Sequence, residues 1–222
     1  MKFPYAAKGV SKIFNAEIIS LIAALIGGIG IILSFIAVSG NVDNSTSGNL
    51  VIATGALVIV AGVIIAVAGI MSIVGYFQAG KDEVSFKKAI LCVLFSIVFT
   101  AVASFFANQT GFYGWLYTML TLAGNICNML ATIFLILGLT ALSVKCNRAD
   151  MVKHGKDMLT TLVILYILTF VLNFFIRMGA ESTAFGSSLV EWLSGLALCF
   201  TVFLYIFQIY FLGKAKKMLK EY

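Results

Sequence analysis

The amino-acid sequence predicts an all-α, polytopic membrane protein whose six transmembrane helices form three helical hairpins. Three observations carry that expectation. First, 61% of the 222 residues are apolar and 11% are charged, with a mean hydropathy of +1.07. Soluble domains carry about 25% charge, so this chain has too few charges to coat a water-facing surface, and a disordered chain is excluded for the same reason. Second, six uncharged stretches are long enough for a helix to cross ~30 Å of hydrocarbon, which takes ~20 residues. Third, fourteen of the fifteen Lys and Arg residues fall in alternate connecting segments, as the positive-inside rule requires.

The elements follow in order. Residues 1–17 mix Phe3, Tyr5, Val10, Ile13 and Phe14 with Lys8 and Lys12, the composition of an amphipathic segment lying on an anionic inner leaflet. The single transmembrane domain, 18–213, holds spans at 18–38, 50–77, 89–107, 115–144, 158–176 and 192–213. No charge occurs between Ala89 and Val144, but Asn108, Gln109, Gly111 and Gly114 divide that run into two helices. A β-barrel would need alternating segments of ~10 residues, and these runs do not alternate. A basic tail, 214–222, carries Lys214, Lys216, Lys217 and Lys220.

Orientation comes from the cations. Lys2, Lys8 and Lys12 precede the first span. Lys81, Lys87 and Lys88 lie between the second and third, and Lys145, Arg148, Lys153 and Lys156 between the fourth and fifth. Both termini are therefore expected on the cytoplasmic side. The Lys-rich segments account for the net charge of +6 by attraction to anionic lipid, each nearby Lys contributing ~1 kcal/mol, with no nucleic acid partner. Ala37-Val38-Ser39 resembles a signal-peptidase site, but a 21-residue apolar run exceeds the ~7–15 residues of a signal core, so the first span is expected to stay. Lys outnumbers Arg 13 to 2, which hints at an AT-rich bacterial genome and a bacterial plasma membrane. The sequons at Asn44 and Asn108 are then read as coincidence. Gly80-Lys81-Asp82 matches Gly155-Lys156-Asp157, and Trp115-Leu116 matches Trp192-Leu193. Interface preferences explain both; remnants of an internal repeat, such as organises many transporters, are the alternative. Cys92, Cys127 and Cys199 are expected inside spans and Cys146 as an exposed thiol on the reducing side.

Two kinds of helix surface are expected. In the second helix Gly48, Gly55, Gly62 and Gly69 recur every seven residues, with Ala66, Ser72 and Gly75 nearby, a period that keeps one stripe against a partner. The first helix offers Ser20, Ala23, Ala24, Gly27, Gly30, Ser34 and Ala37. Small residues let backbones approach where lipid supplies no hydrophobic drive, so the two stripes are expected to pack on each other, with a dimer face as the alternative. The other four helices carry polar stripes. They are Ser96, Thr100 and Ser104; Thr121, Asn125 and Asn128; Thr169, Asn173 and Arg177; and Thr201 with Gln208. Polar groups avoid lipid, so these faces are expected to converge on a shared interior. They serve there as interhelical hydrogen bonds of ~0.6 kcal/mol, as bonds back to their own helix, or as the lining of a hydrated path.

Chemistry is expected to be absent. No carboxylate lies within a span, His154 is the only histidine, and no metal-ligand cluster, Walker loop or Ser–His arrangement is present. The expectation is a non-enzymatic membrane protein without metal or cofactor: a scaffold, assembly partner or complex subunit, acting with a membrane-protein partner or a second copy. The alternative is a small-solute transporter or channel between helices 3–6.

Overall fold

The computed structural model describes residues 2–38, 44–107, 109, 111–181 and 187–221, with side chains for all of these except 38, 44–49, 174, 177–181 and 187–191. Six helices, each long and apolar enough to cross a membrane, follow one another. They are α1 (Pro4–Val38), α2 (Asn44–Ala79), α3 (Val84–Ser104), α4 (Phe112–Lys145), α5 (Ala149–Glu181) and α6 (Ser187–Glu221). The predicted all-α architecture of six apolar helices is the one observed.

The helices pair most extensively as α1 with α2, α3 with α4 and α5 with α6. Among the described residues each helix also touches its neighbour in sequence, and α6 returns to α1, so the three hairpins close into a ring. Five helices exceed the predicted spans. At ~1.5 Å per residue, the 35 residues of α1 reach about 52 Å, some 20 Å more than the hydrocarbon needs. The surplus lies at the basic end. Residues 4–17, read from sequence as a separate segment on the leaflet, are here the opening turns of α1. Their Ala6, Val10 and Ile13 are fully buried against the other helices, so the apolar face that suggested a lipid-surface helix is satisfied by protein instead.

Local chemistry sets the turns at this end. Pro4 opens α1, where a missing N–H costs nothing. The Ala6 N–H, an orphan of the first turn, donates to Asp82 Oδ2 at 2.7 Å from the α2–α3 turn. Asn147 takes φ 55 and ends α4. Its N–H bonds to Val144 O, and that of Arg148 to Ser143 O, both at 3.0 Å, the paired closure of a left-handed helix cap.

The main apolar cluster lies at one end. Its fully buried members include Val10 and Ile13 of α1, Phe86 and Ala89 of α3, Leu135, Leu139 and Leu142 of α4, and Leu212 and Ala215 of α6. Met158 and Leu162 of α5 and Tyr76 of α2 complete it. All lie toward the basic ends of their helices. Two close approaches allow this density. A Cβ on Gly9 would sit 2.6 Å from Ala79 N, and one on Gly75 2.8 Å from Gly9 O, so α1 and α2 cross there backbone to backbone. A Cβ on Gly138 would lie 2.9 Å from Phe86 Cε2; its absence makes the slot that Phe86 fills.

The two glycine stripes have different fates. In α1, Gly27 faces Ala61 (3.7 Å from a built Cβ) and Gly30 faces Leu57 (3.5 Å). Thr54 Oγ1 also donates to Gly30 O at 3.3 Å. In α2, Gly55, Gly62 and Gly69 have open space beside them, while Ala61 and Ala68 are buried. The α2 face turned toward α1 is therefore the alanine side, rotated from the glycine heptad. Gly48 lies outside the residues with described side chains. Cys146, expected as the exposed thiol, is 1% exposed; the exposed cysteine is Cys199.

Candidate functional site

Two features of the molecule are candidates for function: the sealed basic end and the polar stripes that continue from it. The seal is tied around its rim by polar contacts that follow the ring of helices. Lys81 lies 4.9 Å from the centre of the Tyr5 ring, beside the Ala6–Asp82 bond. Lys145 pairs with Glu83 at 2.6 Å, joining α4 to the start of α3. Arg148 pairs with Glu221 at 2.6 Å, joining the α4–α5 turn to α6. His154 Nδ1 contacts Asp150 O at 3.0 Å, and its Nε2 lies 3.4 Å from Lys214 Nζ. The imidazole therefore donates through Nδ1 and accepts from the α6 lysine. Lys216 donates to Asn15 Oδ1 at 3.0 Å, and the Tyr205 hydroxyl to Glu17 O at 2.7 Å, closing α6 onto α1. Exposed ion pairs contribute ~0–1 kcal/mol, so these ties set register while the apolar core supplies most of the stability. Burial raises the Cys146 thiol above its ordinary range, with Lys2 and Arg148 opposing the shift.

The polar stripes share their helix faces with this seal. Asn128 stands seven residues before Leu135 and eleven before Leu139, hence on one stripe. Thr169 follows Leu162 by seven and Met158 by eleven, and Asn173 follows Leu162 by eleven. Thr201 precedes Leu212 by eleven, and Thr100 follows Phe86 by fourteen. The same side of each helix is therefore apolar and buried at the basic end and polar further along. There Asn125, Asn128, Asn173, Thr100, Ser104 and Thr201 are exposed, while Ser96, Thr121, Thr169 and Gln208 are half-buried. Where the stripe turns polar, other helices no longer cover most of these side chains, although α3 still lies against α4 at Gly124.

Most hydroxyls need no partner helix. Thr121 donates to Tyr117 O at 2.8 Å, Thr201 to Ala197 O at 2.9 Å and Ser104 to Ala101 O at 2.7 Å. Thr132 and Ser143 bond back in the same way. Thr169 Oγ1 is buried without a hydrogen-bond partner. Of the predicted convergence, the structure brings α3 to α4: Thr100 Oγ1 lies 3.2 Å from where a Gly124 Cβ would stand. Among the described residues α3 meets neither α5 nor α6, so its stripe makes no direct contact with theirs. The Arg177 side chain lies outside the described residues, as do Asn108 and the side chains of Glu181 and Glu191.

Sequence reasoning missed Gly9, Gly138 and Phe86 as packing determinants. Single glycines outside a repeat carry no period to notice, and Phe86 sits between charged residues in a segment read as a loop. Surface grooves were equally invisible. One of about 410 Å³ runs between the end of α4 and the start of α5, lined by Val144, Arg148, Val152, Lys153, Lys156 and Asp157 among others. Among the described residues no three His, Cys, Asp or Glu side chains converge as metal ligands would. Compared with models of protein families, with curated proteins and with solved structures, the chain matches none.

Proposed function

We propose that this chain is a non-enzymatic, multi-pass subunit of a plasma membrane, with its basic end toward the cytoplasm, that assembles with a membrane-protein partner or a second copy. One observation carries the reading: Asn125, Asn128 and Asn173 are exposed on stripes that lower down form the core. Asn125 and Asn128 lie at mid-helix, where lipid would surround them and unpaired amides are costly, so a transmembrane segment with hydrogen-bonding side chains is the occupant that fits. The sealed basic end supports a scaffold, since its apolar side chains interrupt any polar route along the stripes. The test is a photo-crosslinking residue at position 125 or 128 in native membranes. The expected result is a protein adduct, with Asn128→Leu weakening partner recovery but not the melting temperature. Solute uptake that depends on Asn128, without an adduct, overturns it.

The second reading, a small-solute transporter, has one observation in its favour. Polar side chains exposed on α3, α4, α5 and α6 beyond a sealed end are what one state of an alternating-access cycle, closed at that end, would present. It requires Asn125, Asn128 and Asn173 to be wet in intact cells and the basic-end seal to open during turnover. Labelling of single cysteines at those positions by a charged thiol reagent favours transport, and protection that disappears when the partner is removed favours assembly.

A further inference from the structure

One carboxylate has no part in the assembly reading. Glu17 stands on α1 just before the apolar run 18–38, where the seal gives way to the polar stripes. Four other helices bring hydroxyls to its surroundings. The Tyr205 hydroxyl of α6 donates to Glu17 O at 2.7 Å and adjoins the carboxyl. Tyr76 of α2 and Tyr166 of α5 lie close enough to feel its charge, and Tyr166 in turn meets Thr132 of α4. Tyr76 and Thr132 are buried; Glu17, Tyr166 and Tyr205 are half-buried. Among the described residues no Lys, Arg or His pairs with Glu17. The cations on the helices around it are engaged or distant. Lys216 donates to Asn15 Oδ1 at 3.0 Å, Lys214 lies 4.7 Å from the centre of the Tyr210 ring, and Lys12 stands five residues back, toward the rim.

Register joins this cluster to the stripes. Thr132 follows Asn128 by four residues, Tyr166 precedes Thr169 by three and Asn173 by seven, and Tyr205 follows Thr201 by four. Each therefore shares a helix face with its stripe, one or two turns nearer the seal. Beyond them Leu135, Leu162 and Leu212 belong to the seal itself. A carboxylate so placed, with hydroxyls for neighbours and no cation, is costly to keep charged, and ionisable groups at membrane depth mark proton and ion routes. We infer that this cluster is a proton-binding site, with Glu17 as the group that takes the proton and the phenol and threonine hydroxyls as its link to the stripes. A proton carried by water at the stripes adds to one carboxylate oxygen, converting COO⁻ to COOH, and leaves by the same side; no electrons move. Hydroxyls both donate and accept, so they can bond either form. A metal cation would need several oxygens converging at bonding distance, a proton only one. The leucines of the seal end the route, which makes this a site of proton binding and not of conduction.

The test uses the full-length protein in detergent, treated with dicyclohexylcarbodiimide, an apolar reagent that adds to a carboxyl group in its acid form. Adducts are located by peptide mass spectrometry. At neutral pH Glu17 is expected to be modified while the exposed Glu221 is not, and labelling of Glu17 should fall away as pH rises. Infrared spectra give a second readout without a reagent. The carbonyl stretch of a protonated carboxyl is expected in wild type at neutral pH and should be missing from Glu17→Gln, whose side chain has the shape of the acid but cannot ionise. If that variant does not fold, the carbodiimide result on wild type decides alone. No adduct at Glu17 at neutral pH overturns the inference, as does equal labelling of Glu17 and Glu221. Infrared spectra that coincide in wild type and a folded Glu17→Gln protein also overturn it. Protection of Glu17 by sodium ions at fixed pH counts against it too, because the site would then hold a metal cation. Crosslinking at position 125 or 128 neither requires this site nor excludes it, so the assembly reading stands or falls separately.

Discussion

The two ends of this molecule are built from the same six helices and differ in almost everything else. At the basic end all six supply core residues, backbones cross at Gly9 and Gly75, and polar ties run around the rim from α1 back to α1. Toward the other end the hairpins part. Phe105 is 79% exposed and Trp192 81%, and the inward stripes turn from leucine to asparagine and threonine. In water this would be an unfinished protein. In a membrane the outward apolar surface is ordinary, because lipid tails are as apolar as leucine. The exposed amides are the feature that lipid does not satisfy. Packing and exposed polar surface are thus separated along the helix axes, with the seal holding the hairpins together and the stripes uncovered beyond it.

The largest effect that tests this contrast is in the seal. Phe86→Ala empties the slot beside Gly138 and is expected to cost ~3–5 kcal/mol, measured by denaturation in detergent. Phe105→Ala, the same change at the open end, should stay within about 0.5 kcal/mol. Comparable losses at both sites would mean that the ends are equally packed.

Next come the glycines. Gly75→Val drives two methyls into the α1 backbone and is expected to cost at least ~1–3 kcal/mol, as overpacking does. Gly62→Val meets open space and should change stability by less than about 0.5 kcal/mol. The heptad stripe and the true crossing are told apart by that pair. A destabilised Gly62→Val protein would return the heptad to the helix interface.

Smaller still is the tie at the start of α1. Asp82→Ala leaves the Ala6 N–H without its acceptor, and a loss of ~1 kcal/mol is expected, the usual cost of removing a helix cap. An unchanged melting temperature would show that water replaces the carboxylate without penalty. The smallest effect is the pH dependence of Cys146. Its thiol is raised by burial, so the folded state keeps the proton after the unfolded chain has lost it. The contribution is complete below the ordinary thiol range near ~8.5 and is lost as pH climbs through the raised value. Wild type should therefore lose more stability than Cys146→Ala between neutral and alkaline pH. Parallel profiles would show that the thiol is not buried.

Much of the fold was legible because hydropathy and charge act over whole segments. The six runs, their division at Gly111 and the clustering of cations all correspond to structure, because every residue in a run reports the same solvent. The packing was less legible. Gly55, Gly62 and Gly69 form a clear period yet face outward, whereas Gly9 and Gly75 form none and make the crossing. Periodicity records that a face is small, not which neighbour it meets. The polar stripes were read as a shared interior because lipid excludes amides. That argument says where Asn128 cannot stay unpartnered; it does not require the partner to lie within the same chain. Residues 1–17 carry a related ambiguity, since an apolar face on a basic helix suits a leaflet or a protein core equally well.

The most direct test of the contrast between the two ends is cysteine accessibility in the purified protein. Cys92, Cys127, Cys146 and Cys199 would first be replaced, and single cysteines placed at positions 128 and 173 on the open stripes and at 135 and 139 in the seal. Position 147 serves as the exposed control. A small uncharged thiol reagent should modify 128, 173 and 147 rapidly, and 135 and 139 only on unfolding. Equal protection at 128 and 135 would mean that the stripes are closed along their whole length, and would contradict the account.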